Sequence, residues 1–301
     1  MVYKFYILNV FSDKGIEGGN KLAVIPDATD ISDIQMQQIT KQFNFSESTF
    51  VTRITDEEAD VRIFTPGKEI NYAGHPTVGT LNVLESIYRK EKGISRDNFN
   101  LNLKGGKVRG SFISKPNNDG LEITSFEQIP AKFKENFDNR ELILDLLGIS
   151  KNDLYDDSPF QINAVTAMSF LFVRVKNISI LGRIKPDYVG LVQDALKEKD
   201  ICVYVFTTEA QDGGDIGSRF FVPLYGIPED PATGGIQSSF GLCLHKLDLL
   251  KDNSENEIVV EQGYAMGRPS KIYNKFIVED GELVKTITGG KCYYFAQGEL
   301  N

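Results

Sequence analysis

Alternating or β-branched runs dominate the chain. They stand at residues 4–11 (KFYILNVF), 48–54 (STFVTRI), 59–65 (ADVRIFT), 170–175 (FLFVRV), 200–208 (DICVYVFTT), 218–225 (SRFFVPLY) and 257–263 (EIVVEQG). A period of two sends successive side chains to opposite faces, so each run predicts a strand. Two later hairpin-like pieces, KIYNKFIVEDGELVKTI and GGKCYYFAQGEL, place a turn at Asp280 and Gly281. They predict a chain that finishes in a strand needing a partner elsewhere. Helical spacing is rarer. It predicts helices over 32–43 with Ser32 as N-cap, over 77–90 with Val78, Leu81, Val83, Leu84 and Ile87 on one side, over 235–247, and over 135–148 closed by Gly148.

The pattern repeats. Phe5, Ile7 and Val10 recur as Phe160, Ile162 and Val165, and His75, Pro76 and Gly79 recur as Asp230, Pro231 and Gly234, all 155 positions apart. Each half runs strand, strand, glycine-containing loop, helix, which predicts a duplicated fold of two similar lobes. The loops YAGHPTVG (72–79) and EDPATGGI (229–236) each run into a helix, whose first N–H groups lack intrahelical partners and carry partial positive charge. Such an end suits a carboxylate. Lobes related by an approximate two-fold would turn both helix starts toward one cleft.

At 301 residues the chain is long enough for two cores. The expected division is 1–118 with the last strand, about 285–301, against 119–284. Hydrophobic residues at 41% and charged residues at 25% are those of an ordinary globular protein. A net charge of -9 disfavours nucleic acid and anionic membrane surfaces as partners. No apolar run reaches the roughly 18 residues of a membrane span, and the first residues lack a signal-peptide layout, so a cytoplasmic protein is the expectation. Three scattered cysteines, Cys202, Cys243 and Cys292, and two histidines, His75 and His245, argue against disulfides and against a metal site. No spaced dinucleotide fingerprint or phosphate-binding loop occurs, so no nucleotide cofactor is expected. Chemistry falls to carboxylates, one imidazole and backbone dipoles.

Three side chains are candidates. Glu47, in FNFSESTFV among Phe43, Phe45 and Phe50, reads either as a desolvated carboxyl with a raised pKa, fit for acid-base work, or as a strand-edge glutamate facing water. His75 reads as a group orienting a carboxylate or as a turn cap. Asp230 caps a helix start and is also placed to accept hydrogen bonds from a substrate ammonium or hydroxyl.

GGNKLAVI, NFSESTFV, RIFTPGKEINYAGHPTVGT, EDPATGG and EQGYAMGRPSKI occur in this order from about residue 5 to the end. Together they resemble the phenazine-biosynthesis isomerases that share the diaminopimelate epimerase fold. The resemblance implies an α/β (α+β) fold of two pseudo-symmetric halves, each a curled, mostly antiparallel sheet around a central helix, with the site in the cleft between them. It assigns catalysis to Glu47, His75 and Asp230 and substrate contacts to Ser46, Gly74, Gly234 and Gly235. It implies a homodimer, a small anionic metabolite as ligand, no cofactor, and a reaction like the isomerisation of trans-2,3-dihydro-3-hydroxyanthranilate, in which a hydrogen moves between ring carbons. Gly235 departs from the family, which commonly has alanine or a small hydroxyl residue there. Neither loop carries the cysteine of the two-thiol epimerases of this fold. An epimerase or racemase acting through Glu47, and a non-catalytic small-molecule-binding or interaction protein, are the alternative readings.

Overall fold

The computed structural model describes residues 2–114, 121–155, 160–165, 168–193, 196–197 and 199–301. The chain divides into two compact units, residues 1–128 with 287–301, and residues 129–286. The expected boundary at 118/119 lies outside the described residues.

The first unit contains β1 (Tyr3–Val10), β2 (Asn20–Ile25), α1 (Asp33–Phe43), β3 (Glu47–Ile54), β4 (Glu58–Phe64), β5 (Glu69–Ile70), α2 (Gly74–Lys92), β6 (Asn98–Leu103), β7 (Gly106–Ser114) and β8 (Leu121–Glu127). The second holds β9 (Lys132–Phe137), α3 (Arg140–Leu147), β10 (Phe160–Val165), β11 (Met168–Arg174), α4 (Ile178–Arg183), β12 (Ile201–Thr207), β13 (Ile216–Val222), β14 (Ile227–Asp230), α5 (Gln237–Lys246), β15 (Ser254–Gln262) and β16 (Ser270–Glu279). β17 (Glu282–Gly290) leads from the second unit back to the first, and β18 (Cys292–Leu300) ends the chain in the first. Ser32 caps α1 as expected, in a capping box closed by Gln35. Asp280 and Gly281 both take positive φ, 49° and 76°, between β16 and β17, as a two-residue hairpin turn requires.

The two units share one pairing scheme. In the first, β1 lies antiparallel to β2, β2 parallel to β3, β3 antiparallel to β4, β4 antiparallel to β5 and parallel to β6, and β6 antiparallel to β7. In the second, β10 to β16 repeat this list in order and sense. The outer neighbour of β1 is β18, and that of β10 is β9, both antiparallel. The C-terminal strand therefore finds its partner along the length of β1, from Tyr3 opposite Leu300 to Val10 opposite Cys292.

Pairing also sets the true register of the repeat. One row runs Ile7, Ala23, Ser48, Phe64, Glu69. Its twin runs Ile162, Leu171, Val203, Phe221, Glu229. The offset is 155 at Ile7 and Ser48, 157 at Phe64 and 160 at Glu69, because the β12–β13 connection is longer than β3–β4 and because β13 and β14 pair with a register shift that β4 and β5 lack. Carried on to the helix openings, the offset of 160 matches Gly74 with Gly234 and His75 with Gly235. The expected match of His75 with Asp230 is thereby corrected: Asp230 is the twin of Ile70.

α2 packs on β1, β2, β3, β6 and β8. All twelve residues from 74 to 85 are consequently buried, not one stripe alone. A helix surrounded by sheet has no solvent face over that length. Gly79 permits the close approach: a Cβ there would collide with Leu22 Cδ2 and stand 2.9 Å from Val10 Cγ2, both fully buried side chains. Gly79→Val is expected to destabilise the protein by about 1–3 kcal/mol. Urea unfolding measures this, and an unchanged midpoint would contradict the packing described.

Two expectations change. α2 begins three residues before residue 77, so His75 sits in its first turn and not in a loop. The helix expected over 135–148 begins only at Arg140, because residues 132–137 pair with β10 as a polar, solvent-facing strand. Among the described residues no helix is long and apolar enough to cross a membrane.

Candidate active site

Glu47 is the first residue of β3, held opposite Leu22 of the parallel strand β2. Strand alternation turns Glu47 and Thr49 to one face and Ser48 and Phe50 to the other. Thr49 Oγ1 meets Thr80 Oγ1 of α2 at 2.8 Å, so the first face is the one against the central helix. Glu47 accordingly looks at the opening of α2, where its Oε2 lies 3.4 Å from His75 Nε2. The carboxyl side chain is 13% exposed and the imidazole 5%, and the two facing atoms are sealed from solvent.

The aromatic neighbours do not bury Glu47 in the expected way. Phe50 belongs to the opposite face, in a cluster with Ile25, Met36 and Phe64, and Phe43 packs at the edge of that cluster against Phe5. The imidazole of His75 at the helix opening is the group found against the carboxyl.

His75 is held from its other nitrogen. Asn20 Nδ2 lies 3.3 Å from His75 Nδ1, and Ser46 Oγ donates to Asn20 Oδ1 at 3.2 Å. Burial pushes the His75 pKa down from 6.5 to about 3, so the ring is neutral at physiological pH. The N-cap of α2 is Ala73, which has no polar side chain to offer the first N–H groups, and Pro76 supplies none. Ser46, Glu47, Gly74 and His75 thus share one locality of the first unit, with an electropositive helix start beside a carboxyl and a neutral imidazole.

Neutral His75 has a testable consequence. The folded state resists the proton that the unfolded chain takes up below about pH 6.5, so stability falls as pH drops from there toward about 3. The slope contributed by one such group is about 1.4 kcal/mol per pH unit. His75→Asn should remove that component of the urea-unfolding slope. Parallel wild-type and variant curves would mean that Glu47 keeps the ring charged.

Asp230, Gly234 and Gly235 are grouped in the second unit. Asp230 ends β14, is buried, accepts through Oδ2 from Thr233 Oγ1, and its backbone oxygen accepts from Gln262 Nε2 at 2.7 Å. Gln262 also donates to Thr233 Oγ1 at 2.9 Å. Gly234 opens a 3-10 turn, Gly234–Ile236, that continues as α5.

The twin positions explain why the chemistry is one-sided. Residue 202 is the twin of Glu47, and it is a buried cysteine whose thiol pKa is raised by desolvation. His75 has Gly235 as its twin, and the Thr49–Thr80 hydroxyl pair is replaced by Tyr204 against Phe240, ring centroids 5.0 Å apart. The carboxyl-imidazole pair therefore belongs to the first unit alone.

Sequence reading missed Asn20, and it missed a duplicated ion pair. Arg62 holds Glu69 and Arg219 holds Glu229, each through Nε and a terminal nitrogen. The signal was present as R-x-F-x-P at 62–66 and again at 219–223.

Residues 8–298 match the family model described as phenazine biosynthesis-like protein. The chain belongs to this family. Among curated relatives, trans-2,3-dihydro-3-hydroxyanthranilate isomerase of Pseudomonas aeruginosa is 29% identical over 303 residues, covering 99% of both chains. A solved phenazine biosynthesis protein of the PhzF family from Bacillus anthracis superposes with a TM-score of 0.85 at 22% identity, covering 100% of this chain and 99% of that one. The fold is wider than the family. A hydroxyproline epimerase from Agrobacterium vitis superposes with a TM-score of 0.64 at 10% identity, over 99% of this chain and 92% of that one. Relatives that match nine-tenths or more of this chain are named as isomerases, and the protein is an isomerase of the phenazine biosynthesis-like family.

Proposed function

We propose that the protein moves a proton between two carbons of a small carboxylate substrate, with Glu47 as the shuttle and no cofactor. The observation that carries this reading is the half-buried Glu47 side chain, whose sealed Oε2 lies 3.4 Å from a neutral imidazole at the opening of α2. Ionised Glu47 takes an acidic C–H proton, becomes the neutral acid, and returns the proton to another carbon on the same face. The helix start, with Gly74 as its first residue, is the seat for the substrate carboxylate. Charge that develops on the substrate is stabilised by N–H donors fixed before the reaction begins. Ser46 is proposed as a further contact. For Asp230, Gly234 and Gly235 the proposal rests on the family motif EDPATGG, with Asp230 accepting from a substrate ammonium or hydroxyl.

Epimerisation by paired thiols is the less suitable reading. Cys202 and Cys243 are buried and desolvation raises the pKa of both, so neither is a ready thiolate. A homodimer is proposed as well. β18 exposes Tyr293 and Phe295, two aromatic residues suited to contact with a second copy. Sedimentation equilibrium should give twice 33.6 kDa, and Phe295→Lys should shift the mass toward the monomer. A monomer for the unaltered protein would contradict it.

Incubation with trans-2,3-dihydro-3-hydroxyanthranilate in heavy water tests the activity. Isomerised product is expected, its receiving carbon carrying in part the transferred hydrogen and in part deuterium that the Glu47 carboxyl takes up from solvent. Recovery of unchanged substrate would rule out this compound. Deuterium at a stereocentre with the double bonds unmoved would favour an epimerase.

A further inference from the structure

The polar groups around Glu47 form a ring of contacts, closed by the 3.4 Å approach of His75 Nε2 to Glu47 Oε2, which is short of a formed hydrogen bond. Ser46 donates to Asn20 Oδ1, Asn20 Nδ2 faces His75 Nδ1, His75 Nε2 faces Glu47 Oε2, and Glu47 follows Ser46 in the chain. Asn20 is buried at the start of β2. Gly19 before it has φ 75°, and a Cβ there would stand 2.6 Å from Val10 O and 2.9 Å from Ser12 Cβ. The turn that delivers Asn20 thus admits glycine only.

We propose that Asn20 is a positioning residue for proton transfer: its amide keeps Nδ1 of His75 as an acceptor and so turns Nε2–H toward Glu47. This rests on the reading of Glu47 as the shuttle. An ionised carboxylate can only accept, so His75 must present a hydrogen at Nε2. A neutral imidazole has one N–H, so Nδ1 must then accept. The group facing Nδ1 must be the amide nitrogen, which leaves Oδ1 for the Ser46 hydroxyl, a group that can donate. Each link follows from the one before.

The consequence concerns where the proton waits. An amide cannot exchange its two ends without a half-turn inside a packed site. When Glu47 has taken the substrate proton, His75 therefore remains the donor to Oε2 and does not accept that proton. The proton stays on the carboxyl for return to the substrate, and none is lost to a second base. A backbone hydrogen bond to Lys21, which favours the protonated ring, is the competing partner for the imidazole.

The chain has two histidines, so long-range proton–nitrogen NMR of the ¹⁵N-labelled protein reads the ring directly, with His245→Gln assigning the signals. The unaltered protein, without substrate, is expected to show His75 protonated at Nε2 only. Asn20→Asp keeps the shape but can only accept, and is expected to move the hydrogen to Nδ1 and to lower turnover of trans-2,3-dihydro-3-hydroxyanthranilate by about 10²-fold or more. Asn20→Ala leaves the Glu47 carboxylate as the remaining hold on Nε2–H and should admit a minor Nδ1 tautomer. A hydrogen at Nδ1 in the unaltered protein overturns the proposal, and so does an unchanged tautomer in both variants. The tautomer is read without substrate, so failure of this inference is distinct from failure of the shuttle, which is read as full turnover by Glu47→Gln.

Discussion

Glu47→Gln should lower turnover by about 10²- to 10⁴-fold while leaving the fold and ligand affinity in place. That range corresponds to about 3–5 kcal/mol of transition-state stabilisation. Glutamine matches glutamate in size and retains an oxygen for His75, so the packing at the opening of α2 persists. What disappears is the capacity to accept and return a proton. Electrostatic stabilisation by the helix start survives the substitution and sets the residual rate. Steady-state rates on trans-2,3-dihydro-3-hydroxyanthranilate, with thermal unfolding as the control, separate the chemical loss from a structural one. A variant that unfolds alongside its loss of activity would leave the assignment to His75 and Asn20 variants that keep the fold.

Arg219→Leu should cost about 3–5 kcal/mol of stability, the largest structural effect expected from one side chain here. Arg219 and Glu229 are both under a tenth exposed. The guanidinium donates to both Glu229 oxygens at 2.8 Å and to the carbonyls of Leu181 and Ile184 at 3.2 and 2.8 Å. Its removal strands a carboxylate and two carbonyls in an apolar setting beside Phe221. Arg62→Leu at the twin position should cost less, because the Arg62 side chain is 23% exposed and water can reach the remaining carboxylate. Arg219→Leu combined with Glu229→Leu should recover much of the loss, since no buried charge is then left alone. Urea unfolding of the four proteins measures these differences. Equal costs at residues 62 and 219 would contradict the role given to burial. Glu229 immediately precedes Asp230, so the pair also anchors the segment that carries that candidate group.

Much of this was legible in the residues. Period-two runs marked β1, β3, β4, β11, β12, β13 and β15 but not β2, β6, β7, β8 or β10, Ser32 marked the start of α1, and the entry position of Glu47 on its strand was correct. The repeat was visible at an offset of 155 in β1 and β3, but loop length is not a property of strand pattern. One longer connection and one register shift moved the offset to 160 at the helix openings and gave His75 a false twin. The start of α2 was read late because G-H-P-T is loop-like in composition. Proline is tolerated in a first turn, where its missing N–H bonds nothing. β9 was taken into a helix because its side chains face solvent and show no apolar alternation. Asn20 and the Arg–Glu pairs escaped because polar contacts between distant segments leave no periodic trace. Phe50, an aromatic neighbour of Glu47 in sequence, lies on the other face of β3 because a strand alternates its side chains.

Fate of a labelled hydrogen gives the most direct measurement. With trans-2,3-dihydro-3-hydroxyanthranilate deuterated at the carbon that loses its hydrogen, turnover in ordinary water should deliver part of the deuterium to the receiving carbon on the same ring face. That transfer should vanish with Glu47→Gln. Deuterium arriving on the opposite face, or transfer undiminished in the glutamine variant, would contradict a single carboxyl as carrier.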